Sequence, residues 1–171
     1  ESLELARRYP HMAPIFPLVR DRDGGEVVVG RDGHPSARYR LSRYDLRHLR
    51  AGFLGAARIL EAAGAKRIVS THAKPVVWER GAGGIGRFLA DADARGWEPN
   101  RVLYASAHVM GTARMGGSPA TSACDPNGEA WEVSRLVVCD GSAFPTASGV
   151  NPMVTIAALA HMNASALAAR L

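Results

Sequence analysis

The longest amphipathic pattern in the chain follows Ser42. Its apolar positions have the three- and four-residue spacing of one helical face: Leu46, Leu49, Phe53, Ala56, Ala57 and Leu60. Ser42 and Asp45 have the spacing of a capping box, although Glu or Gln is usual at the second position. Gly64 supplies a C-terminal stop. The pattern predicts a helix over Tyr44–Ala63.

A second helical pattern occupies the C-terminal end of the chain. It starts at Asn151, a favoured N-cap residue, and Pro152, whose missing N–H costs nothing in the first turn of a helix. These signals predict a helix over Pro152–Arg170. We expect both long helices to pack their apolar faces against a sheet.

Shorter patterns predict strands and one further helix. A β-branched run at Glu26–Gly30 and an alternating run at Ala37–Leu41 are separated by a glycine-containing turn, which predicts a hairpin. The remaining predictions are strands at Arg67–Val69, Pro75–Trp78 and Leu136–Cys139, and a short helix at Phe88–Arg95. Prolines up to Pro17 exclude a continuous helix at the start of the chain.

Composition narrows the class of protein. The 171 residues are 47% hydrophobic and 22% charged, which is typical of a globular chain and not of a disordered one. Interleaved helix and strand patterns predict an α/β fold with α+β character. No run approaches the roughly 20 apolar residues of a membrane span, so none is expected. Cys124 and Cys139 predict neither a disulfide framework nor a metal site.

The net charge of +5 raises the question of nucleic acid. Lys66 and Lys74 are the only lysines, so the basic side chains are nearly all arginines, and they are spread along the whole chain. Aromatic residues make up 6% and do not alternate with the arginines as a base-stacking surface requires. We therefore expect a solvated basic surface and no nucleic-acid partner.

The segment Gly81–Gly86 matches the dinucleotide pattern G-x-G-x-x-G. Such a site needs its first glycine directly at the end of a strand and an acidic residue about 20 positions later. Here Glu79 and Arg80 separate Trp78 from Gly81, and the next apolar run leads to no carboxylate. We predict a glycine loop before a helix, with no bound nucleotide. A nicotinamide enzyme that uses this loop is the weaker alternative.

Two glycine-rich segments carry the candidate chemistry. His108–Gly117 places a histidine ahead of small residues that let backbone approach a ligand closely. The second segment runs from a predicted strand end at Asp140-Gly141 to a predicted helix start at Asn151-Pro152. A strand end, a glycine loop and a helix N-terminus together provide a place for an anion or a polarised carbonyl.

In this order and spacing, the two segments resemble the C-terminal signature of the glucose–methanol–choline (GMC) flavoprotein oxidoreductases. The resemblance runs from Ala107 to the end in three blocks, His-x-x-Gly-Thr-x-Arg-Met-Gly, Val-Val-Cys-Asp-Gly-Ser-x-Phe-Pro-Thr and Gly-Val-Asn-Pro-Met-Val-Thr. Asp125–Val133 looks like the branch that contains long-chain alcohol oxidases, and this resemblance favours long-chain or sterol-like alcohols. Residues 1–100 resemble the family's substrate domain only in the order of elements.

The resemblance implies an FAD-dependent oxidase or dehydrogenase that converts a primary or secondary alcohol to a carbonyl. By similarity, His108 would be the general base that takes the hydroxyl proton, a task suited to a group titrating near neutral pH. Asn151 would hydrogen-bond the substrate oxygen, because an amide cannot exchange a proton at neutral pH. We therefore predict that His108 and Asn151 point into a shared cleft, without a metal.

The same resemblance assigns residues to the cofactor FAD. Asp140 and Gly141 match the strand end that contacts the ribityl–pyrophosphate portion. Asn151, Pro152 and Met153 would lie near the pyrimidine edge of the flavin. There the positive end of the following helix would stabilise negative charge on reduction.

The family's own dinucleotide fingerprint precedes the region that these residues match. We therefore expect residues 1–105 to be part of a substrate-binding domain, and 106–171 to complete the FAD domain and active site. The expected partners are an alcohol and a missing N-terminal FAD-binding portion, on the same or a separate polypeptide, without which the chain is inactive. A non-catalytic basic binding module that retains a relic of the motif is the alternative. No targeting segment is visible, and we expect a cytoplasmic location.

Overall fold

The structure, a computed structural model, describes residues 2–98 and 100–171 and is of the mixed α/β class that the sequence predicts. Its helices are α1 (Ser2–Arg7), α2 (Arg43–Ala62), α3 (Ile85–Arg95) and α4 (Met153–Ala168). Its strands are β1 (Glu26–Val29), β2 (Pro35–Arg38), β3 (Arg67–Val69) and β4 (Val77–Glu79). The two long predicted helices are confirmed, with bounds shifted by one or two residues.

The chain folds as two compact units. The first unit contains the residues up to Leu18 together with His48–Leu103. The second unit contains Val19–Arg47 and Tyr104–Leu171. An early stretch of the chain therefore belongs with the C-terminal segment that carries the candidate chemistry. The domain boundary expected near residue 105 stays a prediction about the complete flavoprotein.

The first unit has an apolar core between α2, α3 and one hairpin. β3 and β4 pair antiparallel, with Ile68 opposite Trp78. The buried core residues are Ala57, Ile68, Val76, Trp78, Phe88 and Ala92. Phe53 of α2 stacks on Phe88 of α3 with ring centroids 5.3 Å apart. α2 therefore packs its apolar face against the β3–β4 sheet, as the sequence predicts.

The capping box predicted before α2 is present, and Asp45 has a second task. The Asp45 N–H donates to Oγ of Ser42 at 3.1 Å, and the Ser42 hydroxyl donates to the Asp45 carboxylate at 2.7 Å. The carboxylate also accepts the backbone N–H of Arg22 at 2.8 Å and of Asp23 at 3.3 Å. Asp45 thus anchors the chain entering the β1–β2 hairpin, which pairs antiparallel as predicted.

The strand predicted at Leu136–Cys139 is wrong. Among the described residues this segment has one isolated bridge, between Val137 and Glu129, and the Val138 N–H bonds to the Gly128 carbonyl. An apolar β-branched run becomes a strand only where a neighbour offers a continuous ladder, and here one side contributes a single bridge. α4 consequently packs on irregular backbone, so the expected sheet contact of this helix is also wrong.

Of the predicted loop Gly81–Gly86, residues 81–84 form a loop, whereas Ile85 and Gly86 already belong to α3. β4 extends to Glu79 and leaves only Arg80 before the first glycine. β3 and β4 are antiparallel, whereas a dinucleotide fingerprint belongs to a parallel βαβ unit. The indole N–H of Trp78 donates to the Gly83 carbonyl at 2.8 Å, which ties the loop back to the core. α3 begins at Ile85, three residues earlier than the sequence predicts.

Candidate active site

The candidate base, His108, lies in a bend of the second unit and is half-buried. The backbone that follows it runs beside the short turn Gly141–Ala143. Three hydrogen bonds join the two segments: Gly111 N–H to the Gly141 carbonyl at 3.4 Å, Ala113 N–H to Ser142 at 3.0 Å and Met115 N–H to Ala143 at 2.9 Å. The first two blocks of the sequence signature are therefore neighbours in space.

Asp140 caps the turn that the second block forms. Its carboxylate accepts the Ser142 N–H at 2.8 Å and the Ser142 hydroxyl at 2.5 Å. These hydrogen bonds hold the pKa of Asp140 below its usual range, so the carboxylate stays ionised near neutral pH. The side chain is occupied with the turn, and the Asp140 and Gly141 carbonyls accept the N–H groups of Ala143 and Phe144 at 3.2 and 3.3 Å.

Gly141 of the second block lies between the first block and α4, the helix whose first turn contains the end of the third block. A Cβ on this residue would be 3.3 Å from Cδ1 of Ile156 on α4 and 3.4 Å from the carbonyl oxygen of Val109. Gly111 has a φ of +78°, and a Cβ there would lie 3.3 Å from the Phe144 carbonyl oxygen. Both glycines permit a close approach of backbone that a side chain would push apart.

The start of α4 differs by one residue from the prediction. Pro152 takes the N-cap position and Met153 is the first helical residue, so Asn151 lies before the helix and is not its N-cap. The reason is that the Pro152 carbonyl accepts the first helical bond, from Ile156 N–H at 2.8 Å, although the backbone angles of Pro152 already lie in the helical region. Proline has no side-chain acceptor, so this N-cap residue cannot cap a first-turn N–H group with its side chain.

The loop between the turn and α4 is held by Arg20, which the sequence analysis did not single out. The Arg20 guanidinium donates to the Ala147 carbonyl at 3.0 Å and to Oγ1 of Thr146 at 3.1 Å. Gly149, with a φ of +71°, leaves room for the stem of this arginine. No local sequence pattern indicates these contacts, because Thr146 and Ala147 lie 126 and 127 positions after Arg20 in the sequence.

The predicted site residues thus fall into one compact unit. The segments of His108, Asp140-Gly141 and α4 surround Gly141. Asn151 is exposed immediately before the buried Pro152. The convergence of the His108 and Asn151 side chains on one substrate oxygen stays a prediction.

The exposed start of α4 fits the flavin part of FAD. Met153 and Val154 are 77% and 76% exposed, beside backbone N–H groups that no side chain caps. A flat ring with apolar faces and carbonyl oxygens at one edge is complementary to such a surface. Because Gly141 has no Cβ, another group can come close to its backbone. The residues assigned from the sequence therefore fit this part of the cofactor.

The described ranges 2–98 and 100–171 contain neither a metal-site cluster nor a membrane-spanning helix. No group of three His, Cys, Asp or Glu side chains there has the arrangement of a metal site. No helix in these ranges combines the length and apolar character needed to cross a bilayer.

Comparison with known proteins agrees with the three-block signature. A family model described as GMC oxidoreductase, for the C-terminal part of that family, matches residues 25–160. Two long-chain-alcohol oxidases of Arabidopsis thaliana are each 38% identical, over 161 and 163 residues that make up 90% of this chain and 21% of theirs. A 2-methyl-1,2-propanediol dehydrogenase of Mycolicibacterium austroafricanum is 47% identical over 53 residues, 31% of this chain and 10% of its own.

The match to the two plant oxidases covers most of this chain but only a small part of each oxidase. The chain spans about a fifth of the length of these curated relatives. The family model covers well over half of the chain and includes all three signature blocks. The chain belongs to the GMC oxidoreductase family and corresponds to the C-terminal domain of its members.

Proposed function

We propose that this chain is the C-terminal part of a flavoprotein that oxidises a primary or secondary alcohol to a carbonyl compound, with His108 as the base. The observation that carries the proposal is the close approach of Gly141 to Val109 of the histidine segment and to Ile156 of α4, the helix that begins within the third block. It places the histidine segment beside the turn and the helix start that fit the flavin.

His108 takes up the hydroxyl proton of the alcohol. Histidine suits this step because its imidazole ordinarily changes charge near neutral pH and therefore accepts a proton without a large cost. The half-buried setting of His108 limits access of water while leaving one side open to a substrate. The neighbouring backbone, bonded to the turn at Gly141–Ala143, restricts where the imidazole can go.

Asn151 orients the substrate. Its exposed amide donates a hydrogen bond to the alcohol oxygen and retains its own protons at every pH near neutrality. Because Asn151 directly precedes α4, it presents the substrate at the end of the helix where positive partial charge accumulates. The base role therefore falls on His108 alone.

Asp140, Gly141, Asn151, Pro152 and Met153 would hold FAD by their backbone and by the N-terminus of α4. Bound FAD supplies an acceptor for the hydride of the carbinol C–H bond. The N–H groups at the start of α4 would stabilise negative charge at the pyrimidine edge of the ring. The backbone at Asp140 and Gly141 would bind the ribityl–pyrophosphate portion.

The adenosine half of FAD requires a further FAD-binding portion, which we propose precedes this segment in the same polypeptide or forms a separate one. Two features support it: the plant relatives are about five times as long as this chain, and α4 is apolar on nearly every face. A helix that is apolar all round is stable when other protein covers it. The relatives named as long-chain-alcohol oxidases favour a long-chain alcohol as the substrate.

The test is His108→Ala in the flavin-loaded protein that contains this chain. We expect kcat to fall by about 10²–10⁴-fold, because general base catalysis is lost, while the flavin absorbance is retained. Asn151→Ala should cost less, since it removes one hydrogen bond and leaves the proton acceptor in place. His34→Ala, an exposed histidine next to β2, is the matched control and should leave kcat unchanged. Near-normal turnover of His108→Ala with flavin bound would refute the assignment.

A further inference from the structure

Asn163 is the one polar residue of α4 that is completely buried, with an exposed fraction of 0%. It lies in the third turn of a helix made mostly of Ala, Val, Leu, Ile and Met. Burying an amide without partners costs several kcal/mol in apolar surroundings, so a buried asparagine must gain something from its contacts. Those contacts join segments that the proposed function uses.

The side-chain NH2 of Asn163 reaches two segments. It donates to the Val138 carbonyl at 2.8 Å and lies 3.6 Å from the sulfur of Met115. Val138 is two residues before Asp140, at the approach to the turn. Met115 belongs to the His108 segment, and its own N–H bonds to the Ala143 carbonyl at 2.9 Å. One amide therefore connects α4 to the backbone before the turn and to the His108 segment, the two segments that meet at Gly141.

A third segment is shaped around the same amide. Gly128 has a φ of +80°, and a Cβ there would lie 2.1 Å from the Asn163 nitrogen and 3.0 Å from the Val138 oxygen. The Val138 N–H donates to the Gly128 carbonyl at 2.9 Å. Glycine at position 128 thus leaves the space through which Asn163 reaches Val138.

The backbone before Asp140 depends on this contact, because regular pairing does not hold it. Over the described residues, the approach to Asp140 has a single isolated bridge at Val137. A carbonyl in such a segment is fixed only if a side chain or another backbone group donates to it. Asn163 supplies that donor to Val138 from the rigid scaffold of a helix.

We propose that Asn163 is a positioning residue for the alcohol-oxidising site. Its amide sets the Val138–Asp140 backbone and the His108 segment at fixed positions against α4, the helix that begins behind Asn151. The proposal rests on the proposed function of this site. Asn163 touches neither substrate nor cofactor, and acts by holding backbone that does.

The first variant is Asn163→Leu, which keeps a similar volume and removes the donor. In the flavin-loaded protein we expect kcat to fall by about 10–100-fold with KM changed by less than about threefold, since a shift of about 1 Å in a catalytic group has effects of this size. In the same protein, hydrogen exchange at the N–H groups of Ala113 and Met115 should accelerate at least tenfold. Leu167→Ala, a half-buried position one turn further along α4, is the control for lost packing and should change neither quantity.

A second variant protects the test if Asn163→Leu does not fold. Gly128→Ala keeps asparagine at position 163 but puts a methyl group where the side-chain nitrogen of Asn163 lies. This variant should reproduce the faster exchange at Ala113 and Met115.

Asn163→Asp tests whether the hydrogen bond can be restored, because the carboxyl group of Asp donates to the Val138 carbonyl only when it is protonated. Exchange at both sites should therefore approach wild-type rates, measured at the same pH, as the pH is lowered.

Each outcome decides. Wild-type turnover in Asn163→Leu overturns the positioning role, whatever the exchange rates are. Equal losses in Leu167→Ala and Asn163→Leu also overturn it, because the residue then contributes packing alone. If neither Asn163→Leu nor Gly128→Ala accelerates exchange at Ala113 and Met115, the role is likewise excluded. A wild-type kcat in His108→Ala would refute the proposed function, while the exchange result would still report on the Asn163 contact.

Discussion

The two compact units are stabilised by different kinds of contact. In the first, aromatic side chains of α2, β4 and α3 form a continuous apolar core, with Phe53, Trp78 and Phe88 among them. In the second, the largest fully buried side chains are Asn163, Asp45 and Cys124, two of which are polar. The first unit is stabilised by apolar side chains that are buried away from water. In the second unit, buried polar side chains form hydrogen bonds with backbone groups.

This difference follows from the backbone of each unit. α2, α3 and the β3–β4 hairpin pair most of their own N–H and carbonyl groups, so their side chains are free to form a core. The glycine-rich segments after Tyr104 have little regular structure up to α4, and their backbone groups need partners elsewhere. Asn163 provides one for Val138, and in the earlier part of the same unit Asp45 does so for the irregular backbone at Arg22 and Asp23. Irregular backbone at a candidate site is therefore held by buried polar anchors.

The largest stability effect is expected in the apolar core. Phe88→Ala removes a ring that is 2% exposed and stacked on Phe53, and should lower the free energy of unfolding by about 3–5 kcal/mol. Urea titration of the purified chain measures it. Phe16→Ala, at a ring that is 74% exposed, should stay within about 0.5 kcal/mol of wild type. Similar losses at both positions would contradict the assignment of the core to the first unit.

The next effect concerns a polar anchor. Asp45→Asn replaces one carboxylate oxygen by a donor, so that a backbone N–H of Arg22 or Asp23 loses its acceptor. We expect the free energy of unfolding to fall by about 1–3 kcal/mol. Asp32→Asn, at an exposed carboxylate that accepts the His34 N–H, is the matched control and should change stability by less than about 0.5 kcal/mol. If the Asp45→Asn chain is as stable as wild type, Asp45 does not stabilise the second unit, and the contrast drawn between the two units is wrong.

A third prediction uses the ionisable group inside the apolar core. His72 is 4% exposed, its Nδ1 is 2.9 Å from Ser70 Oγ, and within the described ranges its Nε2 has no hydrogen-bond partner. Burial lowers the pKa of His72, and the positive charge of Arg95 lowers it further, while the nearby backbone carbonyls of Gly96 and Ala92 and the charge of Asp93 act in the opposite direction. Folding therefore favours the neutral imidazole.

The sign of the pH dependence follows from this shift. Above about pH 6.5 both states are neutral and the contribution of His72 to stability is complete. As the pH falls below 6.5, the unfolded chain takes up a proton first, so stability decreases by at most about 1.4 kcal/mol per pH unit until the folded protein is protonated too. Thermal unfolding between pH 5 and 8 measures the slope. His72→Phe should remove it, and the exposed His34→Asn should not; equal slopes in all three would contradict the burial effect.

The smallest effects are expected at Gly83, in the loop before α3, and at Gly86, in the first turn of α3, and these two glycines should respond in opposite directions. Gly83 has a φ of +122°, so Gly83→Ala should destabilise the chain by about 1 kcal/mol. Gly86 lies in α3 with open space at its Cβ position, so Gly86→Ala should stabilise it by about 0.5–1 kcal/mol. Neither should change flavin affinity in the complete protein, and a loss of flavin in Gly83→Ala would mean that the loop contacts the cofactor.

The sequence alone determined the features that depend on neighbouring residues. The helical spacing through Phe53 predicts α2, and the Ser42–Asp45 pair correctly marks its start. Glu79 and Arg80 after Trp78 argued against a dinucleotide site, and residues 81–84 do form a loop. The three signature blocks identified the family because each is a contiguous stretch of residues. Such information is local, so the chain shows it before it folds.

Tertiary structure alone decided which distant groups meet. Leu136–Cys139 has the composition of a strand, but only a ladder partner makes one, and the chain supplies a single bridge. Arg20 bonds to Ala147 across 127 positions, and Asn163 bonds to Val138 from a helix whose sequence indicates only an apolar face. Residue type states what a side chain can donate or accept, whereas the packed backbone determines which acceptor is within 3 Å of it.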